Sequence, residues 1–100
     1  MEPCVYLKSD LGEVLVLPEG QSVAGRNPDL ALPVEGPTVS GSHAAFHRQR
    51  DQAWVTDLGS TNGTFVNQSL IVPQQWVPLK DGDTVSFGTG LTFRVFWVQE

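Results

Sequence analysis

Cysteine is almost missing from this sequence. Cys4 stands alone, so no disulfide can close within the chain, whereas small domains of oxidising compartments usually rely on several. Basic side chains are scarce as well, with six Lys and Arg against eleven Asp and Glu and a net charge of -5 when the histidines are neutral. A polyphosphate backbone rewards dense cationic surface, so nucleic acid is an unfavourable partner. No apolar run exceeds a few residues, against the roughly 20 that a membrane-spanning helix needs. The start, Met1-Glu2-Pro3-Cys4, carries no basic-then-apolar leader. These absences lead us to expect an intracellular protein, cytoplasmic or, in a eukaryote, nuclear, with no membrane contact.

What is present argues for a packed core. Apolar residues make up 40% of the chain and charged ones 17%, too apolar for a disordered tail. A length of 100 residues suits one small domain, expected to fill residues 1–100 with its core over about 5–98. Ten glycines and seven prolines cut the chain into segments too short for ordinary helices. The clearest strand is Leu91 to Val98, where Leu91, Phe93, Val95 and Trp97 share one parity and would line a buried face. Val5 to Leu7, with Cys4 half-buried beside it, Glu13 to Leu17, Gln21 to Gly25, Thr64 to Val66 and Thr84 to Phe87 are further runs of β-branched and aromatic residues. Asp81-Gly82 and Gly88-Thr89-Gly90 are turn chemistry.

Only Ser42 to Leu58 lacks breakers for long enough to be a helix, and its apolar spacing does not follow i, i+3, i+4, i+7. Two strands fit better, Ala44 to Gln49 and Ala53 to Leu58, turning at Arg50-Asp51-Gln52 with Phe46, Trp54 and Leu58 facing in. An all-β sandwich of about ten short strands follows from pattern alone.

The notable polar residues fall in three loops: Gly25-Arg26-Asn27-Pro28, Thr38-Val39-Ser40-Gly41-Ser42-His43, and Asp57-Leu58-Gly59-Ser60-Thr61-Asn62-Gly63-Thr64. Their ingredients suit an anion. Arginine offers a planar, permanently charged fork, hydroxyls add short neutral donors, and glycines expose backbone N–H groups. By itself Ser60-Thr61-Asn62-Gly63 would pass as a tight turn. Ser40, His43 and Asp57 supply the residue types of a hydrolytic triad, yet no nucleophile-elbow context surrounds Ser40, and no catalysis is expected. His47, alternating with Phe46, is placed on the exposed strand face, and with Cys4 and His43 it matches no metal-ligand spacing.

Taken together, Gly25-Arg26, Ser40-x-x-His43, Asp57-Leu-Gly-Ser-Thr-Asn-Gly-Thr-Phe-Val-Asn67, Leu79-x-Asp-Gly-Asp83 and Phe87-Gly88 resemble a forkhead-associated (FHA) domain over nearly the whole chain. The resemblance implies a β-sandwich of about eleven short strands with a loop-borne site at one end that binds Thr-phosphorylated proteins or peptides, with no cofactor. It implies that Arg26 and Ser40 contact the phosphate and that Thr61 adds a donor. Gly41 is limited to its backbone N–H, and Asn62 holds the ligand main chain. Gly25, His43 and Asn67 become supports of the site. FHA domains are often modules of longer chains. Two positions depart from the family pattern. Gly41 stands where Asn or Arg is common, which leaves it either short of a phosphate contact or kept for positive φ. Thr38 stands where some members carry a charge. A competing reading is a phosphate-independent interaction or dimerisation domain that uses the sandwich face bearing Phe96 and Val98.

Overall fold

In a computed structural model, described over residues 4–98, eleven strands form two sheets. They are β1 (Cys4–Ser9), β2 (Val14–Val16), β3 (Gly20–Gly25), β4 (Leu32–Pro33), β5 (Ala44–Gln49), β6 (Gln52–Asp57), β7 (Thr64–Val66), β8 (Ser69–Leu70), β9 (Val77–Leu79), β10 (Thr84–Phe87) and β11 (Thr92–Val98). One sheet has the order β2-β1-β11-β10-β7-β8 and the other β4-β3-β5-β6-β9. No helix among the described residues is long and apolar enough to cross a membrane. Met1 to Pro3, on which the reading of a missing leader rests, lie outside the described residues.

Alternation decides what each sheet contributes to the core, because successive strand side chains point to opposite faces. β11 buries Phe93 and Val95 completely, with Leu91 and Trp97 half-buried against the same cluster, and its partner β1 buries Val5 and Leu7. From the second sheet come Ala24, Ala44, Phe46, Ala53 and Val55. Phe87 at the end of β10 sits between the layers, edge-on to Phe93 at 5.5 Å and tilted on Phe46 at 6.3 Å. Stacking two apolar faces in this way leaves the loops at one end as the place where polar groups gather.

The β5–β6 hairpin forms, but its inward residues differ from expectation. Phe46 is 1% exposed, whereas Trp54 and Leu58 are only half-buried. Register explains the difference: Phe46 pairs with Val55 and shares its inward face, which puts Trp54 opposite His47 on the outside. There His47 is half-buried against Trp54 at 5.6 Å and Trp76 at 6.2 Å. The turn falls at Arg50-Asp51, with Arg50 at φ 51°.

Candidate phosphate-binding loops

Three connections meet at one end of the sandwich: the β3–β4 loop, the long β4–β5 loop and the β6–β7 loop. Backbone bonds join the first two, since Arg26 N–H donates to Ser40 O at 2.9 Å and Asn27 N–H to Gly41 O at 3.2 Å. Gly25 permits this approach. A Cβ there would collide with the Gly41 carbonyl oxygen and lie 2.8 Å from its carbon, and both are backbone atoms with little room to yield. The third loop is tied in by Thr61 N–H, which donates to Ser40 Oγ at 3.1 Å, and by Asn62 Nδ2, which donates to Thr38 O at 3.1 Å.

His43 is the buried post beneath these loops, with none of its surface exposed. Its Nδ1 accepts Ser40 N–H at 3.0 Å, which requires that position to be unprotonated, so Nε2 carries the hydrogen and donates to Gly63 O at 2.8 Å. The same Gly63 carbonyl also accepts Gly88 N–H at 2.8 Å. One imidazole and one carbonyl therefore connect three loops, and the ring edge rests on Phe87 at 5.3 Å. Replacing His43 with alanine strands Ser40 N–H and removes one bond at Gly63. The variant should lose about 1–3 kcal/mol of stability, together with ligand affinity. Calorimetric melting beside a binding titration checks this, and an unchanged melting temperature would contradict it.

Asp57, the last residue of β6, is a second post. It is 2% exposed, and its carboxylate is filled by hydrogen bonds. Oδ2 accepts Gly59 N–H at 2.9 Å and Ser60 N–H at 3.0 Å, while Oδ1 accepts Ser60 Oγ–H at 2.6 Å and Thr64 Oγ1–H at 2.7 Å. Burial pushes its pKa up, but the bonds from the Ser60 and Thr64 hydroxyls and the two backbone amides outweigh burial and hold it below the usual carboxylate value. Ser60 Oγ in turn accepts Gly63 N–H at 2.9 Å. The sequence reading gave no supporting role to Asp57, Ser60 or Thr64. The signal was present in Asp57-x-Gly59-Ser60, the spacing of a carboxylate that caps the backbone two and three residues on.

These contacts also bear on the triad. Both His43 ring nitrogens meet backbone groups, and the Asp57 oxygens are taken by residues of its own loop. The three side chains do not line up as a relay.

Above the posts, Arg26, Ser40, Gly41, Thr61 and Asn62 line one recess of about 310 Å³, with Pro37 and Val39 completing it. Arg26, Thr61 and Asn62 are exposed. Because Ser40 Oγ accepts from Thr61, its own hydrogen stays available to a ligand oxygen. Gly41 does not need a glycine conformation. Its φ lies outside the left-handed region and a Cβ there would meet nothing within 4 Å, which removes the strain account of that position. Thr38 turns from the recess to the core side, its Oγ1 donating to Phe87 O at 2.8 Å, and a Cβ on Gly88 would lie 2.6 Å from the Thr38 Cβ. Asn67 lies at the far end of β7 from Gly63. Asn67 and Gln68 hold φ of 51° and 71° in the β7–β8 turn, and the Asn67 side chain accepts Thr84 N–H at 3.0 Å and donates to Asp83 Oδ1 at 3.1 Å. It braces that hairpin against the β9–β10 turn and does not touch the recess.

Two packed sheets thus carry, on braced end loops, a recess whose lining suits an anion. The sequence profile of the FHA domain matches residues 23–88, and the chain belongs to that family. It is 39% identical over 77 residues to the oxoglutarate dehydrogenase inhibitor of Corynebacterium jeikeium, covering 77% of this chain and 51% of the inhibitor. Among solved structures, one from a study of phosphothreonine-dependent FHA domain interactions has a TM-score of 0.85 at 30% identity and covers 97% of this chain and 98% of that one. The FhaA FHA domain, solved with the intracellular domain of a second protein, gives a TM-score of 0.81 at 32% identity over 91% of this chain and 98% of its own. The chain spans about half the length of the oxoglutarate dehydrogenase inhibitors it matches.

Proposed function

We propose that this chain is a phosphothreonine-recognition module that brings a Thr-phosphorylated protein to whatever it is joined to, and that it performs no chemistry itself. The observation that carries this reading is the recess, lined together by Arg26, by Ser40, whose Oγ accepts from Thr61 N–H and keeps its own hydrogen to donate, and by Thr61. Arg26 and Ser40 take the phosphate oxygens, Thr61 adds a donor, Gly41 contributes its N–H, and Asn62 exchanges its bond to Thr38 O for the ligand main chain. Gly25 and His43 hold the loops in place, and Asn67 steadies the sandwich from the opposite end. The regulatory name of the Corynebacterium relative supports a role in controlling other proteins.

Titration with paired peptides tests the reading. A phosphothreonine peptide should bind, its unphosphorylated twin should not, and a phosphoserine version should bind worse, because burying one methyl is worth about 0.8 kcal/mol. Equal affinity for phosphorylated and unphosphorylated peptides would overturn it. Gly41→Arg should tighten phosphopeptide binding modestly, since space is open there and a partly solvated charge is screened over about 8 Å at physiological salt. The gain should shrink as salt rises.

A second reading, a phosphate-independent interface, has one observation in its favour. On the outer face of the six-stranded sheet Tyr6 stacks on Phe96 at 5.2 Å, beside Val14, Val16 and Val98, which are all exposed. Binding or self-association indifferent to phosphate would favour it.

A further inference from the structure

Arg26 stands between two recesses. On one side lies the recess with Ser40 and Thr61, and on the other a recess of about 580 Å³ lined by Arg26, Pro28, Glu35, Gly36 and Pro37. Arg26 and Pro37 are walls of both, so the two recesses lie side by side. The acid of the second is held in place by the fold. β4 runs parallel to β3 with Pro33 opposite Gly25, Val34 N–H donates to Gly25 O at 2.7 Å, and Glu35 follows next in the chain. The turn after it is closed by Val39 N–H donating to Gly36 O at 3.2 Å, and a Cβ on Gly36 would come within 3.2 Å of the Val39 side chain. Glu35 is exposed at the mouth, so its charge is available to a ligand.

The lining is unusual for an anion site in having so little positive charge. Among the described residues that line the two recesses, Arg26 is the single cation and Glu35 the single acid, in a chain of net charge -5. One phosphate can be satisfied there. A second phosphate or a run of acidic residues beside it would meet Glu35 and an acidic field. A Lys or Arg beside it would lay its aliphatic stem along Pro28 and Pro37 and present its charge to Glu35.

Resting on the reading of Arg26 as the phosphate ligand, we propose that Glu35 is a specificity-determining residue, selecting phosphothreonine peptides that carry a cationic side chain on the side of the phosphothreonine that enters the second recess. The reaction that supplies such a ligand is phosphoryl transfer by kinases that choose threonines near basic residues, not near acidic ones.

The test is a set of phosphothreonine peptides on a neutral background in which each flanking position is, in turn, Lys, Gln or Glu, titrated against wild type, Glu35→Gln and Glu35→Lys. With wild type, Lys should bind about two- to fivefold tighter than Gln on one side of the phosphothreonine, as expected for a partly exposed ion pair, and Glu weaker than Gln. The Lys preference should vanish in Glu35→Gln and reverse towards Glu in Glu35→Lys, and all three differences should shrink as salt rises. Glu35 is exposed, and equal melting temperatures will show that the variants are folded. A wild-type profile indifferent to charge, or one that Glu35→Gln leaves unchanged, would overturn the proposal while the phosphothreonine reading stands. Failure of every phosphothreonine peptide, the neutral one included, would overturn both.

Discussion

Replacing Arg26 with alanine should lower phosphothreonine-peptide affinity about 10- to 150-fold, the equivalent of losing a charge-assisted bond of roughly 1.5–3 kcal/mol. The melting temperature should not move. Both halves of the expectation come from the same geometry. Arg26 is an exposed residue that lines the recess, so removing its side chain costs the ligand a fork of donors and costs the fold little. The loop is held by Arg26 N–H on Ser40 O, a backbone bond that alanine keeps. Arg26→Lys should recover only part of the loss, since a point charge replaces a planar fork. Isothermal titration and a thermal melt on the same samples check this. Wild-type affinity in folded Arg26→Ala would remove the recess from consideration.

The largest effect on stability is expected at Asp57. Asp57→Ala would leave Gly59 N–H, Ser60 N–H and the Ser60 and Thr64 hydroxyls without their shared acceptor. Only the Thr64 bond is fully buried, where a stranded donor costs about 1–3 kcal/mol, and the other three are part-buried and cost less once water reaches them, so a total loss of about 3 kcal/mol is expected. Asparagine is a partial substitute, because its Oδ1 can serve the two amides only if its Nδ2 faces the Ser60 and Thr64 hydroxyls, which must then turn from donors into acceptors. The pH dependence has a definite sign. The folded carboxyl titrates below its unfolded value, so its contribution is fully present above an ordinary aspartate pKa of about 3.9 and is lost as pH falls through the lower folded value. Chemical denaturation of wild type and Asp57→Asn from neutral to acid pH should show the stability gap closing only below about pH 4. A gap that stayed constant into strong acid would mean that the Asp57 charge contributes nothing.

Much of this arrangement was readable in the chain itself, and the parts that were not have physical causes. Phe93 and Val95 declared their strand because period-two alternation over seven residues has no other use. β4, β8 and β9 are two or three residues long and include proline or serine, so unlike the equally short but β-branched and aromatic β2 and β7 they give no strand signal, and they pair because neighbouring strands offer an edge. Trp54 misled because size suggests burial, while the face a side chain takes is set by register, here by the Phe46–Val55 pair. The residues that line the recess stood out through loop composition and the family resemblance, Arg26 and Ser40 above all. Their supports stood out less. Asp57 was set aside as a catalytic candidate without its loop-capping role being seen, while Asn67, read as a scaffold, does make a side chain to backbone bond, but at the far end of β7 from the recess. Glu35 carries no local signal, since only the pairing of β3 with β4 brings it beside Arg26.

The shared acceptor at Gly63 has a bearing on rates. With His43 Nε2–H and Gly88 N–H both fixed on that carbonyl, and Ser40 and Thr61 amides already bonded, the end loops need little rearrangement beyond the release of Asn62 from Thr38 O when a phosphopeptide arrives. Encounter should then run near the range of about 10⁵–10⁷ M⁻¹s⁻¹ typical of rigid partners, with little change among ligands. Differences between good and poor sequences would be written almost wholly in how long each stays bound.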